Sequence, residues 1–349
     1  MIRLSRLWRR GGELSRTAGN ARARWTARES LVLELRDEDG RRGQGEASPL
    51  EGYSPDSIDA AELALEALRE LRLPEPAGPE LPALDVPLSP SARCAFETAW
   101  LDLAARRAGR SLPALLGAEP AARAAVGALL PAEPLAAQLA AAEEAWRRGF
   151  RSLKVKLGAV GGWEAELDLL DALRRRFGPE LRLRADANGA FCPGELPSRF
   201  RDLAPFGLEL LEEPVSGRDW RDVPEAPFLL AADESLQRPE PELFEAFRRG
   251  VARVAVLKPT TLGGPASCLA LAKRLAPLRV RPLVGHAFEG PLAFAAGAAL
   301  ALALAPELAS GLDRHVGLSA WPEVELPFAP GPELRSWEAP GLGLSLEPP

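Results

Sequence analysis

Ser152-Leu-Lys154-Val-Lys156 and, one helical stretch later, Leu181-Arg-Leu-Arg184-Ala-Asp186-Ala-Asn188 decide how this chain folds. Each is a short β-prone run that ends on ionisable side chains. Between them, Trp163–Phe177 carries apolar residues at helical spacing. The alternation continues on both sides. Strands are predicted at Val126–Leu130, Ser152–Lys156, Leu181–Asp186, Leu208–Glu212, Leu229–Asp233, Arg253–Lys258 and Arg281–Val284. Strand alternating with helix implies parallel pairing. The polar residues fall at the C-terminal ends of these runs, roughly one βα unit apart: Lys154 and Lys156, Asp186, Glu212, Asp233, Lys258, then Gly285-His286. In a β/α barrel all strand C-termini open onto one face, where such barrels hold their active sites. A barrel gathers these clusters into one pocket. An open doubly wound sheet would spread them along an edge and ranks second.

Upstream the texture differs. Residues 1 to about 50 read as strands, with Leu31-Val-Leu-Glu-Leu-Arg alternating and Asp39-Gly40 as a hairpin turn. Gly45-Glu46-Ala-Ser48-Pro49-Leu-Glu-Gly52-Tyr53-Ser54 is a loop rich in turn residues. Helices are predicted from about Pro55 to Arg72 and from about Pro90 to Ala108, with a proline-rich link between them. Two domains are the natural prior for 349 residues. The boundaries expected are an α+β domain over 1–120, completed by about 318–349, and a β/α barrel over 121–317.

The hydrophobic fraction of 46% and charged fraction of 26% are those of a globular protein. A net charge of −6 and the lack of a basic stripe with aromatics argue against a nucleic-acid surface. No apolar run is long enough to suggest a membrane span, and Met1–Arg10 has no signal-peptide core. Cys94, Cys192 and Cys268 have neither metal-ligand nor redox spacing. A cytoplasmic enzyme acting on a small molecule is expected. The sequence leaves the oligomeric state open.

Only four lysines occur among 43 basic residues, and three of them are Lys154, Lys156 and Lys258. Arginine keeps its proton at any working pH, whereas a desolvated lysine can give one up. Lysine retained in an arginine background suggests proton transfer. Asp186, Glu212 and Asp233 repel one another unless a cation joins them. A hard divalent ion with oxygen ligands suits them, so Mg²⁺ is predicted, with Mn²⁺ as a substitute. Lys156 and Lys258 then flank the ion, a layout for removing the proton beside a carboxylate. Lys154 and Lys156 share a strand face, and their repulsion is expected to lower the Lys156 pKa. Asn188 is a pocket hydrogen-bonder or a helix N-cap. Glu234 pairs with Lys258 or caps the next helix. Arg184 faces inward as a substrate contact or as a deeper charge partner. His286 ends a strand and is a pocket candidate, with a structural role as the alternative, and the same choice applies to His315.

In Lys154-Val-Lys156, Asp186-Ala-Asn188, Glu212-Glu213-Pro214, Asp233-Glu234-Ser235 and Lys258-Pro259-Thr260 the chain resembles the enolase superfamily, in its muconate-lactonizing subgroup. The resemblance implies a modified (β/α)7β TIM-like barrel, an N-terminal α+β capping domain and a C-terminal segment returning to the cap. It implies Lys156 as acid and base, Lys258 on the opposite face, and Asp186, Glu212 and Asp233 on Mg²⁺. The Gly45–Ser54 loop, Arg184 and Leu257-Lys258-Pro259-Thr260 are most similar to the o-succinylbenzoate synthase family. That likeness implies dehydration of 2-succinyl-6-hydroxy-2,4-cyclohexadiene-1-carboxylate to 2-succinylbenzoate in menaquinone biosynthesis. There Lys156 would remove the proton beside the carboxylate, and the metal would hold the enediolate.

One segment departs from that family. Relatives carry a Ser-Ser-x-x-Glu-Ser type run after strand seven, against the succinyl tail. Here it is Gly285-His286-Ala287-Phe288-Glu289-Gly290. The backbone amides of Gly285 and His286 are the expected replacement for receiving a carboxylate. The alternatives are an N-acylamino-acid racemase, a dipeptide epimerase or a cycloisomerase on the same scaffold, and then a non-catalytic binding protein. Dipeptide epimerases show Asp-x-Asp after strand eight, where this chain has Asp313-Arg314-His315.

Overall fold

The computed structural model describes residues 1–19, 23–158 and 162–348. Strands β1 (Arg3–Gly19), β2 (Arg24–Arg36) and β3 (Arg42–Ala47) form an antiparallel sheet in the order β1-β2-β3. The Asp39-Gly40 turn forms as expected: Gly40 takes φ of 82° and donates its N–H to Asp37 O at 3.2 Å. The helix Pro90–Arg107 lies on this sheet with its apolar and small residues inward. Gly45 permits that approach, since a Cβ there would stand 1.9 Å from Ala95 O.

Strands β5 (Ala128–Leu129), β6 (Ser152–Lys156), β7 (Arg182–Asp186), β8 (Leu210–Glu212), β9 (Leu229–Ala232), β10 (Ala252–Leu257) and β11 (Arg281–Val284) run parallel, each hydrogen-bonded to the next. Parallel bridges Val126↔Ser310 and Gly285↔Gly311 tie a short segment between the two ends of this sheet. They close it into a barrel. Leu210, Ala231, Val254, Val256, Leu283 and Leu308 form one buried apolar cluster. By strand alternation, these residues lie on the same face as Glu212, Lys258 and Gly285, a layer below them.

β4 (Arg123–Ala125) pairs antiparallel with β12 (Glu333–Arg335). Beyond β12 the chain crosses to the N-terminal layer: Leu342 N–H donates to Asp102 at 2.7 Å and Leu346 N–H to Gln44 at 2.7 Å.

The helix Pro291–Leu304 is apolar on all sides and almost wholly buried, which is the pattern of a helix enclosed by protein. Among the described residues no helix is long and apolar enough to cross a membrane. Glu46, on β3, reaches its N-terminus and accepts the N–H groups of Leu292 and Ala293, both at 3.0 Å. A carboxylate there satisfies free helix donors and meets the positive end of the helix dipole. Gly290 is required beside it, because a Cβ would fall 1.8 Å from Glu46 Oε1. Arg28 donates to the carbonyls of Ser48 at 2.8 Å, Pro49 at 2.9 Å and Phe288 at 2.8 Å. The Gly45–Ser54 loop is thus fixed against the barrel by Glu46 and Arg28, and it carries Tyr53 to the barrel mouth.

Candidate active site

Register brings the sequence-predicted residues together. Lys156 lies opposite Asp186, and Asp186 opposite Glu212, on adjacent strands. Asp233 and Lys258 each follow the last residue of their strands. Asp186, Glu212, Asp233 and Lys258 are all buried. Lys154 Nζ bridges Glu212 at 2.8 Å and Asp186 at 3.2 Å. Lys156 Nζ contacts Asp186 at 2.9 Å and donates to Asn188 Oδ1 at 2.9 Å. Lys258 is ion-paired to Asp233 and donates to Tyr53 Oη at 2.6 Å. Its Nζ also stands 5.0 Å from the Tyr53 ring centroid.

Burial costs the Glu212 carboxylate its hydration, and Asp186 and Asp233 repel it; together these outweigh Lys154 and push its pKa up to about 7. Burial also raises Asp233. Asp186 is held low despite its burial, because Lys156 and Lys154 both face it. Lys154 and Lys258 are both raised above the ordinary lysine value. Burial lowers each, but Glu212 and Asp186 around Lys154, and Asp233 and Glu234 around Lys258, more than offset it. The acids, not the neighbouring lysine, set the local field.

The donor set fits a hard divalent ion. It is three carboxylates, all oxygen, on neighbouring strand ends; burial first and then mutual repulsion raise Glu212, and a divalent charge would cancel that repulsion.

The supporting residues resolve differently from their first readings. Asn188 is not a helix cap. It sits at φ 47°, accepts from Lys156 and donates Nδ2 to Glu234 at 2.8 Å. Asparagine tolerates that left-handed backbone better than most residues. Glu234 therefore holds Asn188 rather than Lys258. Arg184 commits Nε to Glu209 and Nη1 to the Ala309 carbonyl, both at 2.5 Å, so it is chiefly the deeper charge partner. Its Nη2 is unpaired, and the side chain borders the cavity. The Gly285 amide does not receive a carboxylate: it donates to Leu257 O at 3.0 Å, continuing the sheet.

Two residues were missed as site residues. Glu213 accepts the N–H groups of Asp233 at 2.8 Å and Ser235 at 2.9 Å, and so sets the turn that aims Asp233. Its place between Glu212 and Pro214 was the signal. Tyr53, the only tyrosine, bonds Lys258 and approaches Asp233 at 3.3 Å from the N-terminal layer. Its position in the Gly45–Ser54 loop was the only hint.

Tyr53, Lys154, Lys156, Glu212 and Lys258 border a cavity of about 730 Å³. Trp25, Leu50, Phe288 and Val316 give it an apolar wall. Arg16, Arg24, Arg148 and Arg314 add positive charge to that of the lysines. His286 and His315 lie along the same side, their ring centroids 4.2 Å apart. Burial lowers the pKa of both, that of His315 to about 3. Asp313 faces Arg148 at 3.3 Å.

A closed β/α barrel with three lysines and three buried carboxylates at its strand ends defines an enzyme. The chain belongs to the enolase superfamily: residues 137–349 match the family described as enolase C-terminal domain-like. It is similar to an o-succinylbenzoate synthase of Desulfotalea psychrophila, 29% identical over 288 residues, 71% of this chain and 76% of that protein. It is also similar to an L-Lys-D/L-Arg epimerase of Methylococcus capsulatus, 30% identical over 338 residues, 90% of this chain and 91% of that protein. The fold matches the substrate-liganded L-Ala-D/L-Glu epimerase of Bacillus subtilis with a TM-score of 0.82, covering 98% of each chain at 24% identity.

Proposed function

We propose that this chain is a Mg²⁺-dependent o-succinylbenzoate synthase, dehydrating 2-succinyl-6-hydroxy-2,4-cyclohexadiene-1-carboxylate. The observation that carries this reading is the inequality of the two opposed lysines. Lys258 is buried, ion-paired to Asp233 and bonded to Tyr53, with its pKa raised, which supports a fixed cation. Lys156 is held by one carboxylate and one amide oxygen at the cavity edge. Lys156 as the base, facing one fixed cation, suits a one-base elimination, in which a single group removes a proton and returns it to the leaving hydroxyl. A two-base racemisation needs both amines to exchange protons.

The steps follow from that assignment. Lys156, as the free amine, takes the proton from the ring carbon bearing the carboxylate. The C–H electron pair forms the new ring double bond as the C–O bond breaks. The ammonium of Lys156 returns its proton to the departing hydroxyl, and water leaves. Lys258 stays charged on the far side and offsets the developing negative charge. Asp186, Glu212 and Asp233 would hold Mg²⁺, which when bound supplies Lewis-acid charge to the substrate carboxylate. The apolar wall suits the ring, and the arginines suit a second carboxylate. A dipeptide ammonium finds no Asp-x-Asp pair: Asp313 faces Arg148, and His315 stands where the second acid would be.

Proton exchange on dipeptides or N-acylamino acids is the second reading, supported by the same lysine pair and, for dipeptides, by the epimerase relative. Loss of cyclohexadiene absorbance, followed beside α-deuterium exchange on N-succinylamino acids and dipeptides, separates the two. Fast aromatisation that chelation abolishes and Mg²⁺ or Mn²⁺ restores is expected. Rapid α-exchange without aromatisation would reverse the ranking.

A further inference from the structure

The two histidines and Glu289 form a cluster apart from the lysine–carboxylate rim. His286 and Glu289 follow β11, and His315 follows the segment that closes the barrel. Their ligand atoms all lie within 4.8 Å of one another. Glu289 is fully buried; its Oε2 accepts the Ala287 N–H at 2.5 Å, while Oε1 has no partner. His315 is 8% exposed, and neither ring nitrogen has a partner. Arg28 lies near, but its donors are taken by the Ser48, Pro49 and Phe288 carbonyls. Buried polar groups are nearly always paired. Here unpaired atoms from two side chains lie together beside a second imidazole.

We propose that His286, Glu289 and His315 bind a divalent transition ion, Zn²⁺ first, at a site separate from the three-carboxylate centre. Two imidazoles and a carboxylate form a zinc ligand set that leaves one position open. Mg²⁺ prefers oxygen alone, so ligand hardness divides the two sites. Tetrahedral ligands about 2.0–2.2 Å from zinc stand roughly 3.3–3.5 Å apart, a closing movement that side-chain rotation can supply. His286 Nδ1 accepts the Phe288 N–H at 3.2 Å, a long bond that an ion on either ring nitrogen would replace. Phe294 packs edge-on to His315 with centroids 4.8 Å apart and steadies the ring. Both histidines border the cavity, so the open position faces water or a donor atom of the substrate.

The test uses Co²⁺ as a spectroscopic stand-in for Zn²⁺, titrated into full-length protein in saturating Mg²⁺. One Co²⁺ per chain, with the visible bands of nitrogen-ligated cobalt and displaceable by Zn²⁺, is expected. Asp186→Asn should leave those bands in place. His315→Ala and Glu289→Gln should each weaken binding by about 100-fold or more. The wild-type spectrum decides alone if those variants do not fold. Absence of Mg²⁺-resistant cobalt, or bands unchanged in a folded His315→Ala variant, overturns the site. Neither result depends on turnover, so this site and the dehydratase reading fail separately.

Discussion

Two of the places where this protein buries charge are built differently. At the contact between the N-terminal layer and the barrel, Glu46 is bonded to backbone N–H groups and Arg28 to backbone carbonyls. At the barrel rim, Lys154, Lys156, Lys258 and the three carboxylates are bonded largely to one another's side chains. Backbone partners cannot leave without local unfolding. Side-chain partners can be exchanged for a metal, a substrate carboxylate or a proton. The first arrangement holds the molecule together, and the second is available for chemistry.

The largest test of that contrast is Lys156→Arg. Arginine keeps the charge that faces Asp186 but cannot give up its proton at working pH. Turnover should fall by about 10²- to 10⁴-fold, with the circular dichroism spectrum and melting temperature nearly unchanged. A parallel collapse of stability would mean that the rim is structural too.

Glu46→Ala probes the other region. It uncaps the helix Pro291–Leu304 and leaves Arg28 without its carboxylate neighbours' full charge. A cost of about 2 kcal/mol is expected for removing the carboxylate that accepts two helix N–H groups, read by urea unfolding. Activity measured on the folded fraction should fall much less. A loss in turnover as large as that of Lys156→Arg would erase the distinction.

The rim was more legible in the sequence than the contact beneath the Gly45–Ser54 loop. Lys156, Asp186 and Glu212 stand at the ends of successive strands, so chain order alone places them in register once the barrel is chosen. Gly45 and Glu46 could be matched to a family loop, but their task could not be read. Their partners, Ala95 and the helix beginning at Pro291, lie far along the chain, and no local period records such a contact. The charge environment of Lys154 and Lys258 was not legible for a related reason. Strand spacing shows that two lysines share a face, but it does not show how closely the acids of neighbouring strands surround them.

A smaller effect separates the regions by pH. Glu212 has a folded pKa of about 7 against an ordinary value of 4.5. Between those values the folded protein keeps a proton that the unfolded chain has lost. Stability of the metal-free protein therefore falls as pH rises through that window. Glu289, also at about 7, adds to the same slope. Asp186 is depressed instead, so its contribution is lost only in acid below the ordinary carboxylate range. Mg²⁺ binds the ionised rim, so it should flatten the Glu212 part of the slope and leave that of Glu289. Melting temperatures across pH, in chelator and in Mg²⁺, measure this. Identical slopes would remove the rim carboxylates from the ion's shell.

Tyr53→Phe gives the smallest change and the finest test, because this hydroxyl joins the two regions. The contact fixed by Glu46 and Arg28 positions the loop, and the hydroxyl accepts from Lys258 at 2.6 Å. Phenylalanine keeps the ring under the ammonium and removes two hydrogen bonds to charged groups, one accepted from Lys258 and one donated to Asp233 at 3.3 Å. Asp233 still holds Lys258, so the amine stays in place with less restraint. A drop of roughly tenfold in kcat, with KM and melting temperature little changed, is the expected outcome. If Lys258 is a fixed cation, the pH profile should keep its shape. A new ionisation in that profile would mean that the hydroxyl, rather than Asp233, keeps Lys258 from exchanging protons, and the one-base reading would give way to a two-base exchange.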